Sequence, residues 1–329
     1  MAGRLLGRWG LGFVVAATSA ALVGFTGFAA PAGATGSKAS SAATGTAARQ
    51  PVRVMTYNIL ELSADGRHEG SGTVAPWSER KPAAVALIKA ANPDVVAIQE
   101  GSDWVGRPRG ARQIDSLRAA LGGVYALSHT EISPSQPHFF RTGVYILYKK
   151  AEYKPYGRAW HWGIGNQHWA AYQLLENRQT GARFLFVSTH LLVGDGAADD
   201  RIRERETKTL LGEAGAFAAA HHVPVVYGGD FNSDHNARHA FNGPAIAMRE
   251  ANDTDTFNAA KTRSLGRYNS ANQYMRRPPE FGDHIDYVFT SPDVTVQSWR
   301  MVMRLHHGHL VGVIPSDHNP VVANLQFPY

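Results

Sequence analysis

Between residues 52 and 327 apolar positions fall into short runs, and many of these runs close on a polar side chain. Val52 and Val54 and then Tyr57 and Ile59 alternate with Arg53 and the Thr56-Asn58 positions, which predicts a first strand ending at an amide. Ser78 is a candidate cap for a helix through Ala90, with Pro82 tolerated in its first turn, Val85, Leu87 and Ile88 on the buried side, and Asn92-Pro93 as its stop. A buried strand follows over residues 94–100 and ends on Glu100, directly before Gly101. Residues 112–121 read as a second helix, and 124–129 and 143–148 as strands separated by a loop over 134–141. Residues 170–175 and 182–190 form a strand pair around a turn at 177–181, with His190 at the end.

Asp199 and Asp200 suit a helix N-terminus, and Ile202, Leu210, Leu211, Ala214 and Phe217 supply its buried stripe. A helix over 236–250 is expected to break or restart at Gly243-Pro244. Residues 284–289 and 294–304 read as strands, and Val321, Ala323, Leu325 and Phe327 alternate in a closing strand. Many neighbouring strands are joined by short turns, which argues for mixed sheets. The predicted fold is an α/β, four-layered sandwich of two packed mixed sheets flanked by helices.

The stretch at 225–233 combines a short apolar run, Gly228-Gly229, and then Asp230-Phe231-Asn232-Ser233. Period-two alternation would send Asp230 and Asn232 to one face and Phe231 into packing. The alternative is an Asp-Asn turn after a core strand.

Composition changes this picture at the N-terminus. Arg4 and Arg8 precede an apolar run over 11–30, and Ala32-Gly33-Ala34 offers a small-x-small cleavage site, so residues 1–34 read as a secretory signal peptide and the protein as exported. An uncleaved membrane anchor is the competing reading. Ser, Ala, Gly and Thr dominate residues 35–50, a flexible linker, and 51–329 form one catalytic domain. Loss of Arg4 and Arg8, with no acid beside them, lowers the net charge from +6 to +4, compatible with a polyanionic substrate without demonstrating one. There are no cysteines, so disulfide-stapled scaffolds are excluded and stability must rest on the core, with metal as a further support.

Three segments carry further candidate chemistry. Aromatic and histidine residues crowd 153–169 around Arg158 and would either stack bases or pack as a ridge. Lys261, Arg263, Arg267, Arg276 and Arg277 make 261–277 a substrate-contact loop or a solvated basic one. His306, His307 and His309 share a loop, at a spacing that matches no closed metal site.

Asn58, Glu100, His190, Asp230, Asn232, Asp286, Asp317 and His318 all lie at or just beyond the ends of apolar strands. In this order the pieces TYNIL, QE, STHL, GGDFNS, HIDYVF and SDHNPV resemble the endonuclease/exonuclease/phosphatase superfamily, whose best-known member is deoxyribonuclease I. The oxygen donors and the absence of thiolates independently suit a hard Mg²⁺ or Mn²⁺. The resemblance implies metal at Glu100, Asn58 and Asp317, with Glu100 the principal ligand. Asp230 would orient and deprotonate the attacking water, and Asn232 would hold that water or a phosphoryl oxygen. His318 would contact the scissile phosphate, Asp286 would fix its tautomer, and His190 would serve as a phosphate ligand or proton donor.

The implied activity is metal-dependent phosphoester hydrolysis, first of all a nuclease on DNA or RNA. The alternatives are a phosphomonoesterase, a phospholipid or sphingolipid phosphodiesterase, and a non-catalytic binding protein on the same scaffold. No stable protein partner is implied; a monomer with no membrane span after signal cleavage is expected. Two departures stand out: His168-Trp169-Ala170 where many relatives have an arginine, and no clear Arg-x-x-Gln pair in the helix after His190, which carries Arg201, Arg203 and Arg205.

Overall fold

A computed structural model describes residues 51–102, 112–128, 143–234, 241–282 and 284–328. The predicted signal peptide and linker, and the loop expected at 134–141, lie outside these residues.

In chain order the strands of the two large sheets are β1 (Pro51–Asn58), β2 (Val95–Gln99), β3 (Tyr125–Leu127), β4 (Tyr145–Lys149), β5 (Tyr153–Pro155), β6 (Trp160–Gly165), β7 (His168–Asn177), β8 (Arg183–His190), β9 (Val225–Asp230), β10 (Thr254–Asp255), β11 (Thr262–Ser264), β12 (Asp286–Thr290), β13 (Thr295–Met301) and β14 (Val321–Gln326). The principal helices are α1 (Trp77–Ala91), α2 (Gln113–Ala120), α3 (Ala197–His221) and α4 (Gly243–Glu250). One seven-stranded sheet has the order β11-β13-β14-β1-β2-β4-β3. The second runs β10-β12-β9-β8-β7-β5, with β6 also paired to β7. Both are mixed: β1 is parallel to β2 and antiparallel to β14, and β9 is parallel to β8 and antiparallel to β12. The expected sandwich of two mixed sheets flanked by helices is the observed architecture.

Alternation along each strand sorts side chains between layers. Val54, Ala97, Ile146, Phe184, Phe186, Val226, Val288 and Leu325 share the core between the sheets. Met55, Tyr57, Val96 and Ile98 turn the other way, packing with Ile88 of α1 and Leu117 of α2. Leu185, Val187, Val225 and Tyr227 pack with Leu210 and Ala214 of α3. Each large apolar side chain so buried contributes about 1.5–3 kcal/mol before chain entropy is set against it. Gly228 faces the other sheet, where an added Cβ would lie 2.9 Å from Ala97 Cβ and 3.5 Å from Thr56 Cβ. A glycine there lets the sheets approach two residues before Asp230.

Several local expectations need correction. Ser78 does not cap α1: the helix starts at Trp77 after Pro76, and the Trp77 N–H donates to Asp65 Oδ2 at 2.8 Å. A distant carboxylate thus does the work of a local cap. Of the helix expected over 236–250, residues 236–240 lie outside the described residues; α4 begins at Gly243-Pro244, the restart expected there, where a missing N–H costs nothing, and Asn242 Oδ1 accepts from Ala245 N at 3.0 Å. The aromatic segment follows the packing reading at Trp162, which stacks on Tyr172 at 3.8 Å and meets Phe217 of α3 edge-on at 6.1 Å. The basic segment is partly structural: Tyr268 and Tyr274 are buried, and Arg276 Nη1 donates to the carbonyls of Leu310 and Gly312. His306 and His309 face each other across a two-residue hairpin, and among the described residues the three histidines form no cluster of metal-binding reach.

Candidate active site

The site forms at one end of the sandwich, where β1, β2, β8 and β9 end and β12 begins. Register alone sets three of its groups side by side: His190 pairs with Asp230 across β8 and β9, and Asp230 with Asp286 across β9 and β12. Asp230 is 1% exposed. Its Oδ2 lies 3.6 Å from His190 Nε2 and 3.6 Å from His318 Nε2, and it accepts from Asn58 Nδ2 at 3.1 Å. From the opposite sheet, Asn58 Nδ2 also donates to Glu100 Oε1 at 2.8 Å, while Glu61 N donates to Glu100 Oε2 at 3.0 Å. His318 Nδ1 is 2.8 Å from Asp286 Oδ2. Asp317 precedes His318, and its carboxylate accepts from Ser316 Oγ at 3.2 Å.

Two of the expected placements are revised. The strand ends at Asp230, and Asn232 takes a left-handed backbone (φ 50°), so period-two alternation does not carry Asn232 onto the Asp230 face. Its N–H donates to Asp230 Oδ1 at 2.9 Å, closing an Asx turn, and its Nδ2 donates to the Leu191 carbonyl at 2.9 Å. Strand-end turn and catalytic constellation are therefore the same feature. Asn58 presents nitrogen, not oxygen, to the carboxylates; its Oδ1 accepts from Leu60 N at 3.0 Å. In this orientation its amide holds Glu100 and Asp230 together.

Burial disfavours a charge on His318, but the carboxylates of Asp286, Asp230 and Asp317 outweigh it and hold the imidazole well above histidine's ordinary range. Burial pushes Asp317 up to about 6, the His318 cation opposes this, and the charge of Glu100 adds to it. Asp230, Asp286 and His318 bring ligand-type atoms within 4.8 Å of one another, yet a protonated His318 already balances that cluster and has no lone pair to offer. Glu100 and Asp317 are both partly exposed, and the charge of Glu100 raises the cost of ionising Asp317; an all-oxygen set of this kind fits a hard divalent cation.

Several supports went unread in the sequence. Ser270 Oγ accepts from the N–H groups of Ile285 and Asp286 at 2.8 and 2.9 Å, fixing the start of β12. Fully buried Arg80 donates to the carbonyls of Ile59, Leu60 and Pro315 and pairs with Asp65 at 2.7 Å, holding the segments beyond Asn58 and before Asp317. On α3, Arg203 pairs with Asp200 at 2.7 Å and donates to Ser233 Oγ at 3.1 Å, to the Leu192 carbonyl and to the Gly194 carbonyl. In place of an Arg-x-x-Gln pair this helix carries Arg203-x-x-Glu206. His168, at the position of the expected arginine, lies 2.7 Å from Glu206 Oε1. A serine or an arginine on a helix has no sequence signature for such roles.

Two mixed sheets flanked by helices, with acids, amides and histidines gathered at their strand ends, place the protein in the deoxyribonuclease I-like fold class. The sequence profile of the Endonuclease/Exonuclease/phosphatase family matches residues 55–318, and the chain belongs to that family. Members of this family are hydrolases acting on phosphate esters, divalent-metal-dependent nucleases and phosphatases among them. The CCR4-Not complex 3'-5'-exoribonuclease subunit Ccr4 of Emericella nidulans is 29% identical over 178 residues, 44% of this chain; the match spans a quarter (25%) of that relative's length. Two solved structures from Bacteroides thetaiotaomicron share the fold. An endonuclease/exonuclease/phosphatase family protein has a TM-score of 0.64 at 16% identity, over 85% of this chain and 96% of its own. A mannosyl-6-phosphatase has a TM-score of 0.62 at 16% identity, over 84% of this chain and 100% of its own.

Proposed function

We propose that the protein is an exported, Mg²⁺- or Mn²⁺-dependent phosphodiesterase that cleaves nucleic acid by in-line attack of water. The observation that carries the mechanism is the position of Asp230 Oδ2, 3.6 Å from each of two imidazole nitrogens and hydrogen-bonded to Asn58. A carboxylate so placed can hold a water and accept its proton as the water attacks phosphorus. His318, kept protonated between Asp286 and Asp230, donates to a phosphoryl oxygen. Asp286 holds the His318 ring through Nδ1, leaving Nε2 for the substrate. His190 is partly exposed at 22% and stands on the other side of Asp230, where it can bind a second phosphoryl oxygen or give a proton to the leaving oxygen. Asn232 keeps the Asp230 carboxylate aligned through its N–H. Glu100 and Asp317 would hold the cation, which when bound neutralises charge on the phosphoryl oxygens. Asn58 keeps Glu100 and Asp230 in register.

Support for a nucleic acid comes from the exposed Arg263, Arg267 and Arg277 in the segment whose Ala271 bridges to His318, and from the exoribonuclease name of the fungal relative. Export is supported by Arg4, Arg8 and the apolar run at 11–30, and mass measurement of protein recovered from culture medium tests it. Purified protein incubated with DNA, RNA and small phosphate esters, with Mg²⁺ or Mn²⁺ and with chelator, tests the reaction. Metal-dependent shortening of a polymer is expected. Phosphate released from small esters with polymers left intact would make it a phosphomonoesterase instead.

A further inference from the structure

We infer that Glu206 is a positioning residue for His190, acting through the backbone of Leu192. The inference rests on the phosphoesterase reading of the site. Glu206 lies on α3 and is 1% exposed, yet its carboxylate meets three partners, two from the β6–β7 hairpin and one from the segment after His190. Leu192 N donates to Oε2 at 3.1 Å, Asn166 Nδ2 donates to Oε1 at 3.1 Å, and His168 Nδ1 lies 2.7 Å from Oε1.

Leu192 is two residues beyond His190, and its backbone is held from both sides. Glu206 takes its N–H, and Arg203, one turn earlier on α3, donates to its carbonyl at 2.8 Å. Leu191 is fixed as well, its N–H donating to the Asp230 carbonyl at 3.0 Å and its carbonyl accepting from Asn232 Nδ2. Every backbone polar group of the two residues after His190 is therefore committed to Asp230, Asn232 or α3. The chain cannot shift at Leu192 without moving His190 against Asp230. A buried carboxylate is costly unless it is paired. Here the ionisable partner of Glu206 is His168 from β7, and the His168 ring, 28% exposed, connects the cluster to solvent. The left-handed turn residues Asn166 and Gln167 bring the β6–β7 hairpin within reach, so one acid joins that hairpin, α3 and the His190 loop.

The pairing gives the positioning a particular chemistry. A carboxylate accepts from Leu192 N, from Asn166 Nδ2 and from the His168 ring together, and a glutamine in its place keeps an acceptor for Leu192 N.

Full-length wild type, Glu206→Ala and Glu206→Gln would be assayed with an oligonucleotide and an aryl phosphodiester plus Mg²⁺ or Mn²⁺ from pH 5.5 to 8.5, with activities normalised to folded protein. His190 ring resonances would be followed by NMR. Glu206→Ala should lower kcat by about 10- to 100-fold with KM little changed, the scale of loss from a misplaced catalytic group. Its His190 signals should also move. Glu206→Gln, which keeps an acceptor for Leu192 N, should retain most of the kcat that Glu206→Ala loses. A Glu206→Ala kcat equal to wild type, or a Glu206→Gln kcat no higher than that of Glu206→Ala, overturns the inference. If wild type cleaves no ester with either metal, the phosphoesterase reading fails instead. The NMR then decides the positioning alone, and unmoved His190 signals in Glu206→Ala overturn it.

Discussion

The Asn58 side-chain nitrogen lies 3.1 Å from Asp230 Oδ2, so a hydrogen bond joins the two sheets inside the site itself. The same nitrogen reaches Glu100 at 2.8 Å, so one amide bridges two carboxylates. Asn58→Leu removes this donor from Glu100 Oε1 and Asp230 Oδ2, while Glu61 N still serves Glu100 Oε2 and Asn232 N still serves Asp230 Oδ1. Each orphaned acceptor costs about 1–3 kcal/mol, and where this is felt in the transition state it corresponds to about 10- to 100-fold in rate. Asn58→Asp should be worse, since it adds a third negative charge. Steady-state kinetics and thermal unfolding of the two variants check this: the expected order of kcat/KM is wild type, Leu, Asp.

The Asp286–His318 contact, 2.8 Å from Oδ2 to Nδ1, should be visible in the pH profile. Carboxylates hold His318 protonated well above histidine's ordinary range, so activity that needs the imidazolium should persist above neutrality and fall on the alkaline side. Asp286→Asn removes one of those charges. The alkaline limb should move to lower pH, and kcat should drop by about 10²–10⁴-fold, the usual range for disturbing a positioned acid–base group. Rates measured from pH 6 to 10 test both; an unmoved alkaline limb would count against His318 as the titrating group.

Gly228 reports on the packing that brings the sheets together. Its substitution by alanine places a Cβ 2.9 Å from that of Ala97, between two sheets with no flexible side chain to yield. Overpacking of this kind costs about 1–3 kcal/mol. Because the strain falls two residues before Asp230, Gly228→Ala should lose kcat beyond its loss of folded protein. A variant of lowered Tm and unchanged kcat would separate the two effects and restrict the glycine to packing.

Strand ends were the legible part of this site. Alternation and terminal polar residues located Asn58, Glu100, His190, Asp230 and Asp286 because each follows from the local pattern of its own strand, and cross-strand register then makes neighbours of His190, Asp230 and Asp286. What local pattern could not supply were contacts between distant parts of the chain. Arg80 supports the Asp317 segment through Pro315, 235 residues away, and Asp65 rather than Ser78 satisfies the start of α1. The orientation of Asn58 was illegible for a related reason: which end of an amide faces the carboxylates depends on the Leu60 N–H that captures its oxygen.

Asp253 should give the fold a pH dependence of its own, away from the site. Burial raises its carboxyl from 3.8 to about 7. The unfolded chain releases this proton near pH 3.8, whereas the folded chain keeps it to about pH 7, so the folded state binds more protons across that interval. The stability this group contributes is complete below 3.8 and is lost as pH rises through about 7, because the folded chain must then carry a partly dehydrated charge. Asp253→Asn keeps the shape and removes the titration. The variant should match wild type in Tm near pH 4 and exceed it near pH 8, with the gap opening between those values. Thermal unfolding scans at unit pH intervals would show it, and a difference in Tm that stays constant from pH 4 to 8 would mean that Asp253 titrates as an ordinary surface carboxylate.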